Sequence, residues 1–328
     1  MLPATARHFG MVLQVLASLA VLLAAAPVHA VPQAEQSARR LTPVSGAWFG
    51  AFVNPNRTDP GGSKPEVLAL EADLGRKLAI MNRFYKWEVR IPTPLEQWDV
   101  ANGRIPMISW GVADTRVITS GSQDGWIRAQ ANRLEALGTP FFLRFFWEMD
   151  GDYRRSVVHS QADFIAAWRH VHDIFVHEGA TNAVWVWCPT SWKFITRDPW
   201  PPTYYPGDAY VDWVAADGYN WNPAKPGSTW RTFTGIFQKF YEWAATTNKP
   251  IMIAENAAQE RSPGDKAAWI AESRDAIKSR FPLIRAVLWF DTKITKGSLV
   301  LDWRIRTSAS SFAAYRAMGG DPYFNPPR

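Results

Sequence analysis

Eight short, almost unbroken apolar runs recur along this 328-residue chain, each followed by a segment of helical periodicity, and this alternation narrows the fold more than any other feature. The runs are Ala47 to Val53, Leu78 to Phe84, Ile105 to Trp110, Pro140 to Phe146, Ala183 to Trp187, Val211 to Asp217, Pro250 to Ala254 and Ile284 to Phe290. Strands buried on both faces read as continuous apolar runs, which is the pattern of a parallel sheet covered by helices. The intervening segments carry helical spacing and recognisable ends. Ser160 is placed to cap a helix whose Phe164, Ile165, Trp168, Val171 and Phe175 share a side, and Gly179 stops it. Phe233, Ile236, Phe237, Phe240 and Trp243 repeat the pattern. Eight such units over about 250 residues predict a single-domain α/β fold, the (β/α)8 TIM barrel. A doubly wound open sheet would want a glycine-rich phosphate turn after the first strand, and Phe52-Val53-Asn54-Pro55 is not one.

The first thirty residues stand apart. Arg7 and His8 precede an apolar run from Met11 to Ala26 that ends in Pro27-Val28-His29-Ala30, the layout of a secretory signal peptide. Residues 1–30 are therefore expected to direct export to a medium or periplasm, residues 31–42 to form a flexible N-terminal segment, and residues 43–328 to be the barrel. No later run is long and apolar enough for a membrane span. A net charge of +6 is a mild excess that does not argue for nucleic acid. The single cysteine, Cys188, allows no internal disulfide, so stability must come from the core. The compositional outlier is the aromatic content, with 18 Trp, 18 Phe and 9 Tyr; most of these fit a core, and so many suggest that some face a ligand. Trp is costly to hide completely, and flat apolar rings with polar rims suit the C–H faces of sugars.

In a barrel of this kind the reacting groups stand at the C-terminal ends of the strands. The fourth run continues into Trp147-Glu148-Met149-Asp150-Gly151, and alternation puts Phe142, Arg144, Phe146 and Glu148 on one face. Arg144, inside an apolar run, needs a buried carboxylate partner such as Asp217 and is expected to support the floor of the site. Glu148 would stand at the mouth, its pKa raised by desolvation. Alternation on the seventh run places Ile251, Ile253 and Glu255 together. Two carboxylates from strands four and seven would meet across the mouth, the arrangement of a retaining glycosidase.

The stretches Arg144-Phe145-Phe146-Trp147-Glu148-Met149-Asp150-Gly151, Tyr204-Tyr205-Pro206-Gly207-Asp208, Val211-Asp212-Trp213, Asp217-Gly218-Tyr219-Asn220-Trp221 and Lys249-Pro250-Ile251-Met252-Ile253-Ala254-Glu255 resemble glycoside hydrolase family 26. That family contains endo-β-mannanases and some mixed-linkage glucanases and xylanases. The resemblance implies Glu148 as acid/base, Glu255 as nucleophile, Tyr219 as the residue orienting that nucleophile, and Trp289 as the floor of the cleavage subsite. It implies a polysaccharide substrate, with mannan leading and a β-1,3-1,4-glucan or xylan as alternatives. Two departures bear on the sugar. Trp147 stands where the family usually has His, and Asp150 where it has Asn; Asn256-Ala257-Ala258 follows the nucleophile in place of Thr or Phe with Gly.

Trp110, Trp192 and Trp221, at or just past strand ends, join Trp147, Tyr219 and Trp289 as expected substrate contacts, while Asp150 and Asp152 suit either sugar hydroxyls or a loop cap. No metal spacing is found among His159, His170, His172 and His177, and no cofactor is needed. Cys188 reads as an inert buried thiol, Asn56-Arg57-Thr58 as a glycosylation acceptor, and the protein as a monomer. A carbohydrate-binding protein on a barrel that has lost its activity is the alternative from another class. Keeping both Glu148 and Glu255 argues against it, since a binder gains nothing from two facing ionisable groups.

Overall fold

The computed structural model of the protein describes residues 41–56 and 62–327. The expected signal peptide, nearly all of the N-terminal segment, and Arg57 and Thr58 of the glycosylation triplet lie outside the described residues.

Eight parallel strands close into a barrel in chain order: β1 (Trp48–Asn54), β2 (Ile80–Tyr85), β3 (Ile105–Trp110), β4 (Phe141–Phe145), β5 (Ala183–Trp187), β6 (Trp213–Asn220), β7 (Ile251–Ala258) and β8 (Ile284–Lys296). The ring is closed by β8 pairing with β1 from Trp48–Ala286 to Asn54–Thr292. The chain is a (β/α)8 barrel, and every strand starts within two residues of its expected position. The strand runs have two apolar faces because there are two cores. Ile80, Met107, Phe142, Val186, Trp213 and Leu288 fill the barrel. Leu143, Phe145, Val214, Ile253 and Val287, on the opposite faces, meet the helices.

The helix Gln161–His177 shows how the outer layer is specified. Ser160 caps it by accepting the Asp163 N–H at 3.1 Å. Its apolar stripe buries Phe164, Trp168, Val171 and Phe175, with Trp168 5.7 Å from Phe145 and 5.6 Å from Trp185 between ring centres. Each such buried side chain contributes about 1.5–3 kcal/mol of transfer free energy.

Three local departures from regular strand geometry decide which side chains reach the barrel mouth. On β4 the alternation ends early, because Phe146 and Glu148 both have positive φ, 47° and 54°. Phe146 thus joins the outer core and packs on Phe164 instead of sharing the Arg144 face as expected. On β7 one extra residue lies between Ile253 and Asn256 relative to both neighbours: Ala216 pairs with Ile253 but Asp217 with Glu255, and Ile253 pairs with Val287 but Asn256 with Trp289. This β-bulge turns Glu255 inward although Ile251 and Ile253 face the helices, so the expected shared face of these three residues does not hold. On β6, Gly218 lets the chain pass under its neighbours, since a Cβ there would collide with Ser191 and stand 2.6 Å from Ile236.

One strand went unanticipated. β8 runs beyond Phe290 and turns at Gly297 (φ 59°) into β9 (Leu299–Asp302), an antiparallel hairpin above the barrel. Its first arm is mostly polar and its second has only the three apolar residues Leu299 to Leu301, so the continuous-run criterion passes over it. No helix among the described residues is long and apolar enough to cross a membrane.

Candidate active site

Arg144, in the middle of β4, is fully buried, and its guanidinium organises the upper layer of the barrel. Its Nε donates to Ser109 Oγ at 2.8 Å, Nη1 to both oxygens of Asp217 at 2.9 Å, and Nη2 to Glu255 Oε1 at 2.5 Å. Such forked contacts give a buried Arg the partners it requires. Ser109 passes the chain of bonds to Asn82, at 2.7 Å. Cys188, expected in apolar surroundings, sits with Sγ 3.3 Å from Asp217 Oδ1, and burial pushes its thiol well above the ordinary range.

Glu255 is held from two sides. Besides Arg144, the hydroxyl of Tyr219 donates to its other oxygen, Oε2. Two residues apart on β6, Asp217 accepts from Arg144 and Tyr219 donates to Glu255.

Glu148 reaches the mouth by the positive-φ turn after β4, not by strand alternation. Its backbone N–H is tied to the carbonyl of Cys188 at the end of β5, at 2.7 Å. Its Oε2 accepts from the hydroxyl of Tyr153. Loss of solvent around the carboxyl, and then the charge of Glu255, raise its pKa above the usual carboxylate range. The charge count has the same sense. One guanidinium faces Asp217 and Glu255 together, so a third carboxylate beside them is cheapest in its protonated form. A proton-bearing carboxyl and an Arg-paired carboxylate then face one cavity, which suits proton donation and nucleophilic attack at a single bond.

That cavity is an open groove made of two adjoining parts, of about 900 Å³ and about 470 Å³. Glu148, Tyr153, Thr190, Tyr219 and Trp221 border both parts, while Glu255 borders the larger. Aromatic rings line the larger part: Phe52 stacks on Phe290 at 5.2 Å and meets Phe84 edge-on at 4.8 Å, and Phe84 meets Trp147 edge-on at 5.3 Å. The guanidinium groups of Arg144 and Arg154 lie 5.3 and 5.1 Å from the Trp147 ring centre. Trp221, which packs edge-on against Trp303 at 5.2 Å, and Trp192, 50% exposed, line the smaller part.

Two expected substrate contacts are elsewhere. Trp289 is 3% exposed and packs behind the barrel wall against Trp269 and Tyr315, with its ring N–H donated to the Trp303 carbonyl at 2.8 Å. Leu288 faces inward, so Trp289 must face the helices, and it is Phe290 that reaches the groove. Trp110 is fully buried for the same reason: Ser109 points in, and Trp110 stacks on Trp87 at 4.3 Å in the outer core. Asp150 caps a loop, accepting the Thr190 N–H at 3.0 Å and its hydroxyl at 2.8 Å, with burial raising it to about 7. Asp152 is an exposed partner of Arg155 and Lys193.

The site residues that sequence patterns passed over are Tyr153, Phe84, Phe290, Lys225 and Arg231. Tyr153, five positions after Glu148, was legible as part of the same loop. Phe290 is the strand-end residue next to Trp289, and Phe84 closes the second apolar run, from which no site residue was expected.

A closed (β/α)8 barrel with paired carboxylates at the ends of its fourth and seventh strands, over an aromatic groove, is a scaffold of the glycosidase kind. The chain belongs to glycosyl hydrolase family 26, whose pattern matches residues 112–273. It is 35% identical over 294 residues to Endoglucanase H of Acetivibrio thermocellus, covering 86% of this chain and 31% of that protein. It is 29% identical over 166 residues to mannan endo-1,4-beta-mannosidase A and B of Caldalkalibacillus mannanilyticus, covering 48% of this chain and 28% of that protein. The chain thus spans about a third of the length of the curated relatives it matches. Among solved structures, the catalytic domain of a family 26 endo-beta-1,4-mannanase of Bacillus sp. JAMB-750 superposes with a TM-score of 0.63 at 16% identity, covering 90% of this chain and 91% of that one. At that identity the likeness is one of fold.

Proposed function

We propose that the protein is a retaining endo-β-glycanase. Glu148, protonated, gives its proton to the glycosidic oxygen of the bond to be broken. Glu255 attacks the anomeric carbon from the opposite face to form a covalent glycosyl-enzyme. Glu148, now a base, takes a proton from water, which releases the sugar with its β configuration retained. The observation that carries this reading is the division of labour between the two carboxylates. Glu255 is fixed by Arg144 and Tyr219, whereas Glu148 forms no ion pair among the described residues and has a raised pKa.

Mannan is the substrate the sequence resemblance favours. A β-glucan is the second reading, supported by the match to an endoglucanase over most of the chain and by Trp147 beside the acid. The test is reducing-end release from galactomannan, glucomannan, lichenan, β-1,3-xylan and β-1,4-xylan by wild type and by Glu255→Ala, with proton NMR of the first anomer formed. Cleavage of one polymer with a β product, lost at least 10⁴-fold in the variant, is the expected outcome. Persistence of activity in Glu255→Ala, or an α product, would refute the mechanism.

We also propose export through residues 1–30, supported by their basic start and apolar run. Intact mass of protein recovered outside the producing cell should then match a chain beginning at Val31. Recovery of the full-length chain inside the cell alone would overturn this.

A further inference from the structure

The smaller arm of the groove carries an electrostatic feature that cleavage of a neutral polymer does not use. Three cations line it, Lys193, Lys225 and Arg231, together with three carboxylates, Glu148, Asp152 and Asp217. The carboxylates are already engaged: Asp217 by Arg144 at 2.9 Å, Asp152 by Lys193 at 3.1 Å and Arg155 at 2.9 Å, and Glu148 by the Tyr153 hydroxyl. Lys225 and Arg231 form no ion pair among the described residues. Each rests instead on a tryptophan of the same arm, the Arg231 guanidinium 4.5 Å from the Trp192 ring centre and the Lys225 ammonium 5.4 Å from that of Trp221.

An Arg stacked on an aromatic face keeps its N–H edge free, and that planar fork matches a carboxylate. The same rings offer the flat surface a pyranose needs. Two unmatched positive charges beside two sugar platforms, in an arm that begins at Glu148, define a polar ligand with both features.

We propose that the smaller arm accepts an acidic sugar unit of the glycan chain, a uronate whose carboxylate is bound by Arg231 and Lys225 while its ring lies against Trp192 or Trp221. The substrate class is then a β-linked polysaccharide carrying carboxylated residues, not a wholly neutral one. The inference rests on the glycan-cleaving reading above.

The test is calorimetric titration of Glu255→Ala protein, which leaves ligands uncut, with matched pairs of β-linked hexasaccharides. The backbones are manno-, cello- and laminari-, each in neutral and C6-carboxylated form. On at least one backbone the carboxylated member should bind roughly tenfold tighter or better, the scale of one charge-assisted contact. That preference should weaken with added salt. It should fall to near unity in Lys225→Gln/Arg231→Gln, and partway in Lys225→Gln alone, a change at an exposed side chain. Neutral members that bind as tightly as carboxylated ones on every backbone, or a preference that survives both substitutions, would overturn the inference and leave the glycanase reading standing. Absence of binding in all pairs, together with no hydrolysis of any polymer by wild type, would overturn both.

Discussion

Tyr153→Phe isolates one hydrogen bond at Glu148, the carboxyl proposed above as the proton donor. Tyr153 donates its phenol proton to Glu148 Oε2, which favours the ionised carboxylate and opposes the upward push from burial and from Glu255. Removing the hydroxyl while keeping the ring must therefore raise the Glu148 pKa further. Hydrogen bonds to charged groups are worth about 1.5–3 kcal/mol, and Tyr153 is 62% exposed, so the lower end applies. At 1.36 kcal/mol per pKa unit this is a rise of about one unit. The general acid works in its protonated form, so the basic limb of the kcat/KM profile should move up by about one pH unit. The assay is kcat/KM from about pH 4 to about pH 9 on the polymer cleaved best, with a urea melt to show that folding is unaltered. A basic limb that stays in place or moves down would refute both the role of Glu148 and the sense of the Tyr153 contact.

The neighbouring pair Trp289 and Phe290 should separate stability from binding. Trp289→Ala is expected to cost about 3–5 kcal/mol of unfolding free energy with little change in KM, because the ring fills the outer core. Phe290→Ala should raise KM with a smaller loss of stability, and urea melts beside saturation curves check both; a Trp289→Ala protein with normal stability and raised KM would restore Trp289 to the groove. Asp212 bears on acid stability. It accepts the Trp185 N–H at 2.8 Å in a buried position that raises its pKa from 3.8 to about 7, so the folded state binds its proton more tightly than the unfolded state does. Its contribution is therefore full at low pH and is lost as the pH rises from about 4 towards about 7. Asp212→Asn should lose less stability than wild type between about pH 5 and about pH 8, by on the order of 2 kcal/mol, and equal losses in urea titrations would refute this.

The sequence by itself determined the barrel, its eight strand positions and the two carboxylates. Strands covered on both sides are bound to be apolar throughout, so Ile105 to Trp110 or Ala183 to Trp187 stands out against any helix. A charged residue in such a run, as at Arg144, is conspicuous because burial demands a partner, and Asp217 is that partner. Which way each side chain faces was decided only by the closed barrel. In a two-faced apolar run, alternation fixes relative but not absolute direction, so nothing local says whether Trp289 or Phe290 looks into the groove. The strand-to-strand register settles it in favour of Phe290. Glu255 faces the site through a one-residue bulge on β7, and Glu148 through positive-φ turns after β4; both depend on pairing with neighbouring strands. The Arg231–Trp192 contact of the smaller arm likewise joins two loops far apart in sequence that meet only once the ring is closed, whereas the Tyr153–Glu148 contact lies within one loop, five residues apart.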